Sequence, residues 1–280
     1  MKKIFLCAIN NILSGSCDQD CKFCAQSSKY KAPIKRYSFK NIEEVIKEAK
    51  IAYSYGARGY CLVTSGAMLD EKRTIYISKV AKYLKKEIND IKLIACAGIA
   101  NKEELKELKK SGINSYNHNL ETSKNFYKNI CSTHSWEDRF NTCNNIKSVG
   151  LDLCSGGIFG LGESYQDRKE LFLALKELKP TSIPINFYIP NIALPIKERK
   201  LTYNEALDII NQASLLNPKI LMVAGGREEI FNTPQKEKEL FQMPINAIVL
   251  GDYLTTKGKD IKSDLKRIEE FGYKIVEKCQ

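Results

Sequence analysis

The sequence predicts an α/β protein, a parallel (βα)8 barrel of the TIM type that forms a single domain over residues 1–280. Short runs rich in β-branched residues alternate with polar helical stretches eight times along the chain, and several helical stretches end at glycine. This alternation is typical of parallel sheets whose strands are joined by helices. A length of 280 residues suits one such barrel. The connections are short and contain no low-complexity tract. An open doubly wound sheet is the alternative.

The predicted strands and helices follow one another in a regular order. The eight strands cover residues 4–10, 59–66, 92–98, 113–121, 151–163, 183–189, 220–226 and 247–254, the fifth ending in a glycine-rich turn. Helices are predicted over residues 42–56, 101–112 and 135–150, with a last helix near 260–278. Asn10 and Asn11 interrupt the apolar start of the chain, so we predict a first strand there and no export signal.

Three cysteines lie within eight residues directly after the first predicted strand. The segment CDQDCKFC spans residues 17–24 and places thiols at Cys17, Cys21 and Cys24. Four-iron clusters are usually held by four cysteine thiolates. Three closely spaced thiols therefore indicate such a cluster with one iron open to bind a small molecule. A structural zinc site is the alternative, but zinc prefers four ligands in paired spacing, and the chain has only two histidines.

The composition argues against several classes of protein. No apolar run reaches the roughly eighteen residues that a membrane-spanning helix requires. Ten cysteines in a secreted chain would indicate disulfides, but the cysteine loop favours metal-bound thiolates in a reducing cytoplasm. The net charge of +11 comes mainly from lysines spread along helices. We therefore expect a solvated basic surface that attracts anionic small molecules or an acidic redox partner, and no nucleic-acid binding.

Three further cysteines, Cys61, Cys96 and Cys154, fall in the second, third and fifth predicted strands. Alternate side chains of a barrel strand point into the barrel. The active sites of such barrels lie at the C-terminal ends of the strands. We therefore expect the cysteine loop at the barrel mouth, with these three thiols beneath it. Each could be an ordinary buried cysteine, and together they fit the ligands of a second cluster; periodicity leaves both interpretations open.

Several segments resemble, in order, those of the biotin synthase family within the radical S-adenosylmethionine enzymes. The first is the cluster loop CDQDCKFCAQSSKYK. The others are YNHNLETS (116–123), CSGGIFGLGES (154–164), PINF (184–187), AGGREE (224–229) and GDYLTT (251–256). The resemblance covers nearly the whole chain, and it implies the barrel fold and the chemistry of that family.

The resemblance implies a radical enzyme that inserts sulfur and holds two iron–sulfur clusters. The cysteine loop would bind a [4Fe–4S] cluster that cleaves S-adenosylmethionine to a 5′-deoxyadenosyl radical. Cys61, Cys96 and Cys154 would bind an auxiliary [2Fe–2S] cluster, whose sulfur enters dethiobiotin to give biotin. Acid–base catalysis cannot reach the unactivated C–H bonds of this substrate because they carry no acidic proton, so a cofactor must supply the radical.

The resemblance also assigns contacts to the two small molecules. The residues that match S-adenosylmethionine contacts are Asn119, Glu121, Arg139, Ile158 and Ile189. The residues that match contacts to the ureido ring of dethiobiotin are Asn117 and Asn186. A side-chain amide offers both a donor and an acceptor, which complements a cyclic urea. Glu121 stands where the family commonly has Asp.

The chain departs from the family pattern around the auxiliary cluster. Met222 stands where the family usually has an arginine ligand, and Arg227 belongs to the GGRE segment and is not expected to replace it. A thioether is a soft but uncharged ligand. The type and fourth ligand of this cluster therefore stay open, with Cys131 as one possibility and an ordinary loop thiol as the other. Three cysteines match no cluster position and are predicted as a core residue, a helix-face residue and a tail thiol: Cys7, Cys143 and Cys279.

The implied partners are dethiobiotin as substrate, a flavodoxin or ferredoxin as electron donor, and a second copy of the chain in a homodimer. The expected location is the cytoplasm, without membrane or nucleic-acid association. Within the same superfamily, an enzyme of the hydrogenase-maturase or methylornithine-synthase type is the nearest alternative. Non-catalytic alternatives are a redox-sensing or nucleic-acid-binding iron–sulfur protein and a structural zinc module.

Overall fold

The computed structural model describes residues 2–277 of the chain. Its strands are β1 (Lys2–Leu13), β2 (Gly59–Thr64), β3 (Lys92–Cys96), β4 (Ser115–Asn117), β5 (Asp152–Cys154), β6 (Gly157–Phe159), β7 (Ser182–Phe187), β8 (Ile220–Val223), β9 (Ala247–Leu250) and β10 (Tyr273–Val276). Its helices are α1 (Ile42–Ser54), α2 (Glu71–Glu87), α3 (Lys102–Lys110), α4 (Lys124–Tyr127), α5 (Trp136–Ser148), α6 (Tyr165–Leu178), α7 (Tyr203–Ser214), α8 (Arg227–Ile230), α9 (Pro234–Gln242) and α10 (Ile261–Glu270).

The strands form a closed parallel barrel, which confirms the predicted fold class. The order is β1-β2-β3-β4-β5-β7-β8-β9, and β9 pairs with β1 to close the ring. In this ring Cys7 of β1 stands opposite Gly59 of β2 on one side and Val249 of β9 on the other. The short strand β6 continues the fifth position and pairs with β7. Since all pairs are parallel, the loops that follow the strands gather at one end of the barrel.

Side-chain caps determine where the outer helices begin. Reciprocal capping boxes start α3, α5, α6 and α7, in which the side chain of the N-cap residue and that of the third helical residue bond each other's backbone. The N-cap residues are Asn101, Ser135, Ser164 and Thr202. Each cap stabilises its helix by about 1 kcal/mol. The caps lie directly after the loops at the barrel mouth, so they also fix where those loops end.

The apolar core has three parts. The largest lies between the helices and the outer face of the sheet. A second cluster fills the inside of the barrel and consists of Phe5, Cys7, Met222, Ala224, Ala247 and Val249. A third lies at the mouth and joins the cysteine loop to the loops after β4, β6 and β7, with Cys21, Tyr127, Ile130, Cys131, Leu161, Tyr188 and Leu194. The mouth cluster positions the candidate site.

Two of the differences from the predicted elements lie in residues 151–163 and near the end of the chain. Residues 151–163 form two short strands because the backbone of Gly156 lies against Pro184, where a Cβ would be 2.0 Å from the carbonyl oxygen. The predicted last helix ends at Glu270, and Gly272, with φ +71°, turns the chain into β10. This strand pairs with the first residues of β1, starting at Lys2. Cys279 lies outside the described residues.

Within residues 2–277, the structure contains no helix whose length and apolar character would allow it to cross a membrane. The apolar start of the chain belongs to β1. The prediction of a first strand there is confirmed.

Candidate active site at the barrel mouth

The cysteine loop follows β1 and folds back on itself at the mouth. Gln26 is buried, and its side-chain oxygen accepts a hydrogen bond from the backbone N–H of Gly15 at 2.6 Å. The backbone of Cys17 bonds that of Gln26, and the N–H of Cys24 donates to the carbonyl oxygen of Cys21 at 3.0 Å. Burial, with the charge of Cys17 added, raises the pKa of the Cys24 thiol to about 11. The three predicted thiols therefore lie on one folded loop, and the raised pKa keeps Cys24 protonated until a metal displaces the proton.

A second thiol and a histidine lie against this loop. The Sγ atoms of Cys21 and Cys131 are 3.6 Å apart, and the Cys131 Sγ lies 3.2 Å from Nδ1 of His134. The hydrogen bond from Cys21, with help from His134, lowers the pKa of Cys131 to about 4, and the same contact raises that of Cys21. Sequence reasoning left Cys131 as one of two possibilities and gave His134 no role. Only the packing of two segments 110 residues apart brings Cys131 against Cys21.

Asp20 holds the cysteine loop against the segment that contains Cys131. Its carboxylate accepts hydrogen bonds from the backbone N–H groups of Ser132 at 2.9 Å and Thr133 at 3.2 Å, and from both hydroxyls. Although partial burial opposes ionisation, these bonds hold the pKa of Asp20 well below its usual range. Asp20 is a functional residue that sequence reasoning missed, because an aspartate inside a polar loop has no distinguishing pattern.

Arg139 of α5 organises the loop after β4. Its Nη1 donates to the carbonyl oxygen of Asn119 at 2.7 Å and lies 3.6 Å from the Glu121 carboxylate, while Nε donates to the Tyr127 hydroxyl at 2.8 Å. The Asn119 side chain in turn accepts from the N–H of Gly156 at 3.1 Å. The structure thus brings together three of the residues predicted to contact S-adenosylmethionine.

Glu121 sits in a strained and buried position. Its φ of +68° lies in the left-handed region, which residues other than glycine rarely adopt. Its side chain is 10% exposed, and burial raises the pKa of its carboxyl although Arg139 opposes the shift. The left-handed turn also explains why β4 ends at Asn117, four residues earlier than the predicted strand. Such strain is typical of functional sites.

Several buried polar atoms at the strand ends have no protein partner within the described part of the chain. They are Oγ1 of Thr64, Oδ1 of Asn117, Nε2 of His118 and Oε2 of Glu121. Each such atom costs about 1–3 kcal/mol when left unpaired. Burial and the nearby Arg139 lower the pKa of His118, so this ring stays neutral. The mouth therefore fits a polar ligand that supplies the missing hydrogen bonds.

The remaining predicted contact residues line the other side of the mouth. The Asn186 side chain donates to the carbonyl oxygen of Gly157 at 3.2 Å and accepts from the N–H of Gly225 at 3.0 Å. Its amide retains one N–H, so it can still donate to a ligand. Ile158 is half-buried and packs against the mouth cluster, and Ile189 is half-buried after β7.

The three strand cysteines lie on β2, β3 and β5 of the barrel. Cys61 stands opposite Ile9 and Ile94, and Cys154 stands opposite Asn117. Burial is the main cause that raises the pKa of the Cys61 thiol, and the charges of Cys96 and Cys154 add to it. Burial also raises the pKa of Cys96 to about 12. The thiols are close enough to influence one another, which fits a shared cluster.

Met222 and Arg227 bear on the arginine ligand that the family usually has. Met222 is buried inside the barrel and packs in the same cluster as Cys7. Arg227 pairs with the buried Asp264 at 2.7 Å and with Glu228 at 2.9 Å. These ion pairs engage the Arg227 guanidinium, and that Arg227 does not replace the family's arginine ligand stays a prediction. Cys143 is buried on α5, and its Sγ donates to the carbonyl oxygen of His118 at 3.4 Å.

Comparison with protein families gives two matches. The model of the radical SAM superfamily matches residues 11–175. The model of the biotin and thiamin synthesis associated domain matches residues 184–274. The first match spans the cysteine loop and the strands that carry all three interior thiols. Residues 176–183 lie between the two matches.

Solved structures of low sequence identity share the fold. The FeFe-hydrogenase maturase HydG of Carboxydothermus hydrogenoformans aligns with a TM-score of 0.83 at 16% identity, covering 98% of this chain and 67% of that one. Methylornithine synthase aligns with a TM-score of 0.81 at 18% identity, covering 98% and 84%. At these identities the likeness concerns the barrel alone.

Curated relatives match over their full length. A biotin synthase of Sulfurovum sp. is 53% identical over 99% of this chain and 98% of its own. Biotin synthases of Wolinella succinogenes and Helicobacter pylori are each 51% identical over 100% of both chains. The two family models and these relatives agree, and the chain belongs to the biotin synthase family of radical SAM enzymes.

Proposed function

We propose that this chain converts dethiobiotin to biotin by radical insertion of sulfur. One observation carries the proposal. Glu121 lies within electrostatic range of both thiol sets, since its charge contributes to the raised pKa of Cys24 in the loop and of Cys96 in the barrel, where burial is the main cause. This supports our proposal that the polar ligand site lies between the two groups of three thiols. This arrangement suits a reaction that needs a radical source and a sulfur source on either side of one substrate.

The residues present fit the two implied cofactors. Cys17, Cys21 and Cys24 would hold a [4Fe–4S] cluster, and the interior thiols Cys61, Cys96 and Cys154 would hold an auxiliary cluster, which we infer to be [2Fe–2S]. With S-adenosylmethionine bound, the first cluster supplies the 5′-deoxyadenosyl radical, and the second supplies sulfur. All described thiols are unbridged by disulfides. Ligation requires thiolates, so loading releases protons from the buried thiols whose pKa is raised.

The polar residues of the mouth would bind and orient the small molecules. S-adenosylmethionine carries an amino and a carboxylate group as well as adenosine, and we assign its contacts to Asn119, Glu121, Arg139, Ile158 and Ile189. Glu121 offers an unpaired carboxylate oxygen, and the two isoleucines offer apolar surface. Arg139 positions Asn119 and Glu121 through its bonds to both.

Two amides would bind the ureido ring of dethiobiotin. Asn117 presents an unpaired buried oxygen that can accept from a ureido N–H. Asn186 is held by two backbone bonds and keeps one N–H for the ureido oxygen. The apolar mouth cluster would exclude water from the radical, which protects it from side reactions.

The proposed partners follow from the same chemistry. One-electron reduction requires a donor, and we infer a flavodoxin or ferredoxin, whose acidic surface would complement the net charge of +11. We also propose a homodimer and a cytoplasmic location, where thiols stay reduced.

The test is anaerobic turnover by the reconstituted protein. With dithionite or a reduced flavodoxin, it should convert S-adenosylmethionine to 5′-deoxyadenosine and methionine. With dethiobiotin added, mass spectrometry should detect biotin. Formation of 5′-deoxyadenosine without sulfur in dethiobiotin would keep the superfamily chemistry and reject the proposed substrate. Absence of both products from protein with a full iron content would reject the proposal entirely.

A further inference from the structure

We propose that Cys21, Cys131 and His134 form a site for one divalent transition metal ion, which is filled when the loop cluster is absent. Binding of the ion does not depend on the proposed reaction, whereas its competition with the loop cluster rests on the proposed function. Within the described residues, the ligand atoms of these three side chains lie within 4.8 Å of one another. They come from two segments that the fold brings together, so the site is a property of the tertiary structure.

The spacing suits a single ion. Zinc–sulfur bonds of about 2.3 Å and zinc–nitrogen bonds of about 2.0–2.1 Å imply tetrahedral ligand separations of roughly 3.5–3.8 Å. The two sulfur atoms are 3.6 Å apart, and the Cys131 Sγ lies 3.8 Å from His134 Nε2. Small adjustments of these side chains would seat the ion.

The donor set indicates the metal. Two thiolates and one imidazole favour zinc or ferrous iron over magnesium or calcium, which prefer oxygen ligands. Three protein ligands leave one position open, as in zinc sites with two cysteines and one histidine. Cys21 and Cys131 are both buried and His134 is half-buried, so the ion would reach the site from the mouth side.

Neighbouring polar groups preorganise the site. Asp20 fixes the segment that carries Cys131 by accepting backbone bonds from Ser132 and Thr133. The side-chain oxygen of Gln19 lies 3.2 Å from Nδ1 of His134 and can accept its N–H, which leaves Nε2 as the ligating nitrogen. Since the Asp20 oxygens are already engaged, we expect water or exogenous thiol at the fourth position.

The consequence is competition with cluster assembly. Cys21 is a ligand of both the single ion and the proposed [4Fe–4S] cluster, so the two cannot be bound at once. Anything that binds one state and not the other shifts the equilibrium by mass action. Zinc should therefore delay assembly of the loop cluster, and loss of Cys131 should relieve the delay.

The experiment is an anaerobic titration of reduced, metal-free full-length protein with Zn²⁺, and in parallel with Co²⁺ as an optical probe. Cys131→Ser and His134→Gln should each weaken Zn²⁺ binding by at least about tenfold, and Cys131→Ser should remove sulfur-to-cobalt charge-transfer absorption. Cys143→Ser is the matched control, because Cys143 is an equally buried thiol on α5 outside the site. Circular dichroism establishes that each variant is folded.

A Cys17→Ser variant separates this site from the loop triad. It should leave the Zn²⁺ affinity unchanged, since Cys17 is not a ligand of the single ion. Equal affinities in wild type, Cys131→Ser and His134→Gln would overturn the proposal, as would a loss in Cys17→Ser with none in Cys131→Ser. If zinc delayed cluster assembly equally in wild type and Cys131→Ser, the proposed competition between the zinc ion and the loop cluster would be contradicted.

We also infer, from a separate observation, that Cys7 supplies the fourth thiolate of the interior cluster. This second inference rests on the proposed function. Iron–sulfur clusters usually have four cysteine ligands, and the three strand cysteines leave one position. Cys7 is buried inside the barrel in the same cluster as Met222.

The geometry of β1 and β2 directs Cys7 toward the interior set. A Cβ at Gly59 would lie 2.7 Å from the Cys7 Sγ, so the sulfur lies over Gly59 on the inner face. Cys61 follows Gly59 by two residues on that same face, about 6.6 Å further along the strand. Cys7 and Cys61 therefore lie on the inner face in successive layers of two paired strands.

The test isolates the interior cluster. In the parent variant Cys17→Ser/Cys21→Ser/Cys24→Ser, bound iron and sulfide should belong to the interior set alone. Adding Cys7→Ser should change its Mössbauer and visible spectra and lower its iron retention, whereas adding Cys143→Ser should change neither. Unaltered spectra and iron after Cys7→Ser would overturn the inference while leaving the proposed function intact. A parent variant without any cluster would overturn both.

Discussion

The two thiol sets differ in what holds them. The loop thiols lie on irregular backbone that is fixed by side-chain contacts such as those of Gln26 and Asp20. The interior thiols lie on β2, β3 and β5 of a closed barrel, where the backbone ladder sets their positions. The loop set has a further thiol beside it, since Cys21 contacts Cys131. The interior set is confined by the core.

The difference also separates two chemical tasks. A radical source must be reached by an electron donor and by a cofactor, so a position at the mouth suits it. A sulfur source must be shielded and positioned below the substrate, so the buried strands suit it. Four predictions test whether the two sets act separately, in order of decreasing effect.

Replacing thiols of either set should separate two halves of the reaction. Cys17→Ala should abolish both 5′-deoxyadenosine and biotin formation, because the radical source is lost. Cys96→Ala should keep 5′-deoxyadenosine formation and abolish biotin formation. Both products are measured by anaerobic chromatography and mass spectrometry, with Cys143→Ala as a control that retains both. Unchanged biotin formation in Cys61→Ala, Cys96→Ala and Cys154→Ala would refute the interior site.

Arg139→Gln should damage the ligand site between the two sets. The change leaves the buried Glu121 carboxylate without its ion-pair partner and removes the bond to Asn119, which should cost about 3 kcal/mol of stability. Urea unfolding of the cluster-free protein measures this loss, and equilibrium binding measures the weaker affinity for S-adenosylmethionine. Lys147→Gln on the exposed face of α5 is the matched control. Equal stability of the two variants would contradict the assignment of Arg139.

Gly59→Ala should disturb the interior set alone. The added Cβ would meet the Cys7 sulfur at 2.7 Å, and overpacking of this kind costs about 1–3 kcal/mol. We expect lower iron retention in the barrel, with 5′-deoxyadenosine formation per loop cluster preserved. Iron analysis and turnover of the same preparation measure both. A selective loss of the loop cluster would show that the two regions are not independent.

Asp20→Asn should weaken the docking of the loop by about 1 kcal/mol at pH 7, since bonds to a carboxylate are stronger than bonds to an amide. The folded-state pKa of Asp20 is depressed, although burial opposes this. Its stabilisation is therefore present above the unfolded pKa of about 3.9 and fades as the pH falls below it. Urea unfolding at pH 7 and pH 3 should show a difference from wild type that shrinks at low pH. The exposed Asp208→Asn control should show no such difference, and a pH-independent loss in Asp20→Asn would refute this explanation.

The barrel and the cysteine loop could be predicted from the sequence because their signals are local. The spacing of Cys17, Cys21 and Cys24 is visible within eight residues, and each strand has its own β-branched run. The strand boundaries could not all be predicted, because β5 and β6 separate where Gly156 contacts Pro184 on another strand. The final strand β10 was missed because its pairing with the start of β1 is non-local.

The site could be predicted only in part, because many of its contacts join segments that are far apart in the sequence. Family resemblance named Asn119, Glu121 and Arg139, and the structure joins them through contacts up to 20 residues apart. The contact of Cys21 with Cys131 and the inward position of Cys7 depend on tertiary packing that no local pattern records.

The most direct test of the central claim follows the sulfur atom. Protein reconstituted anaerobically with ³⁴S-sulfide is given S-adenosylmethionine, dethiobiotin and a reductant for a single turnover without free sulfide. Biotin analysed by mass spectrometry should carry ³⁴S, and the Cys61→Ala/Cys96→Ala/Cys154→Ala variant should form 5′-deoxyadenosine but no labelled biotin. Unlabelled biotin from wild type, or labelled biotin from that variant, would contradict a barrel-held sulfur source.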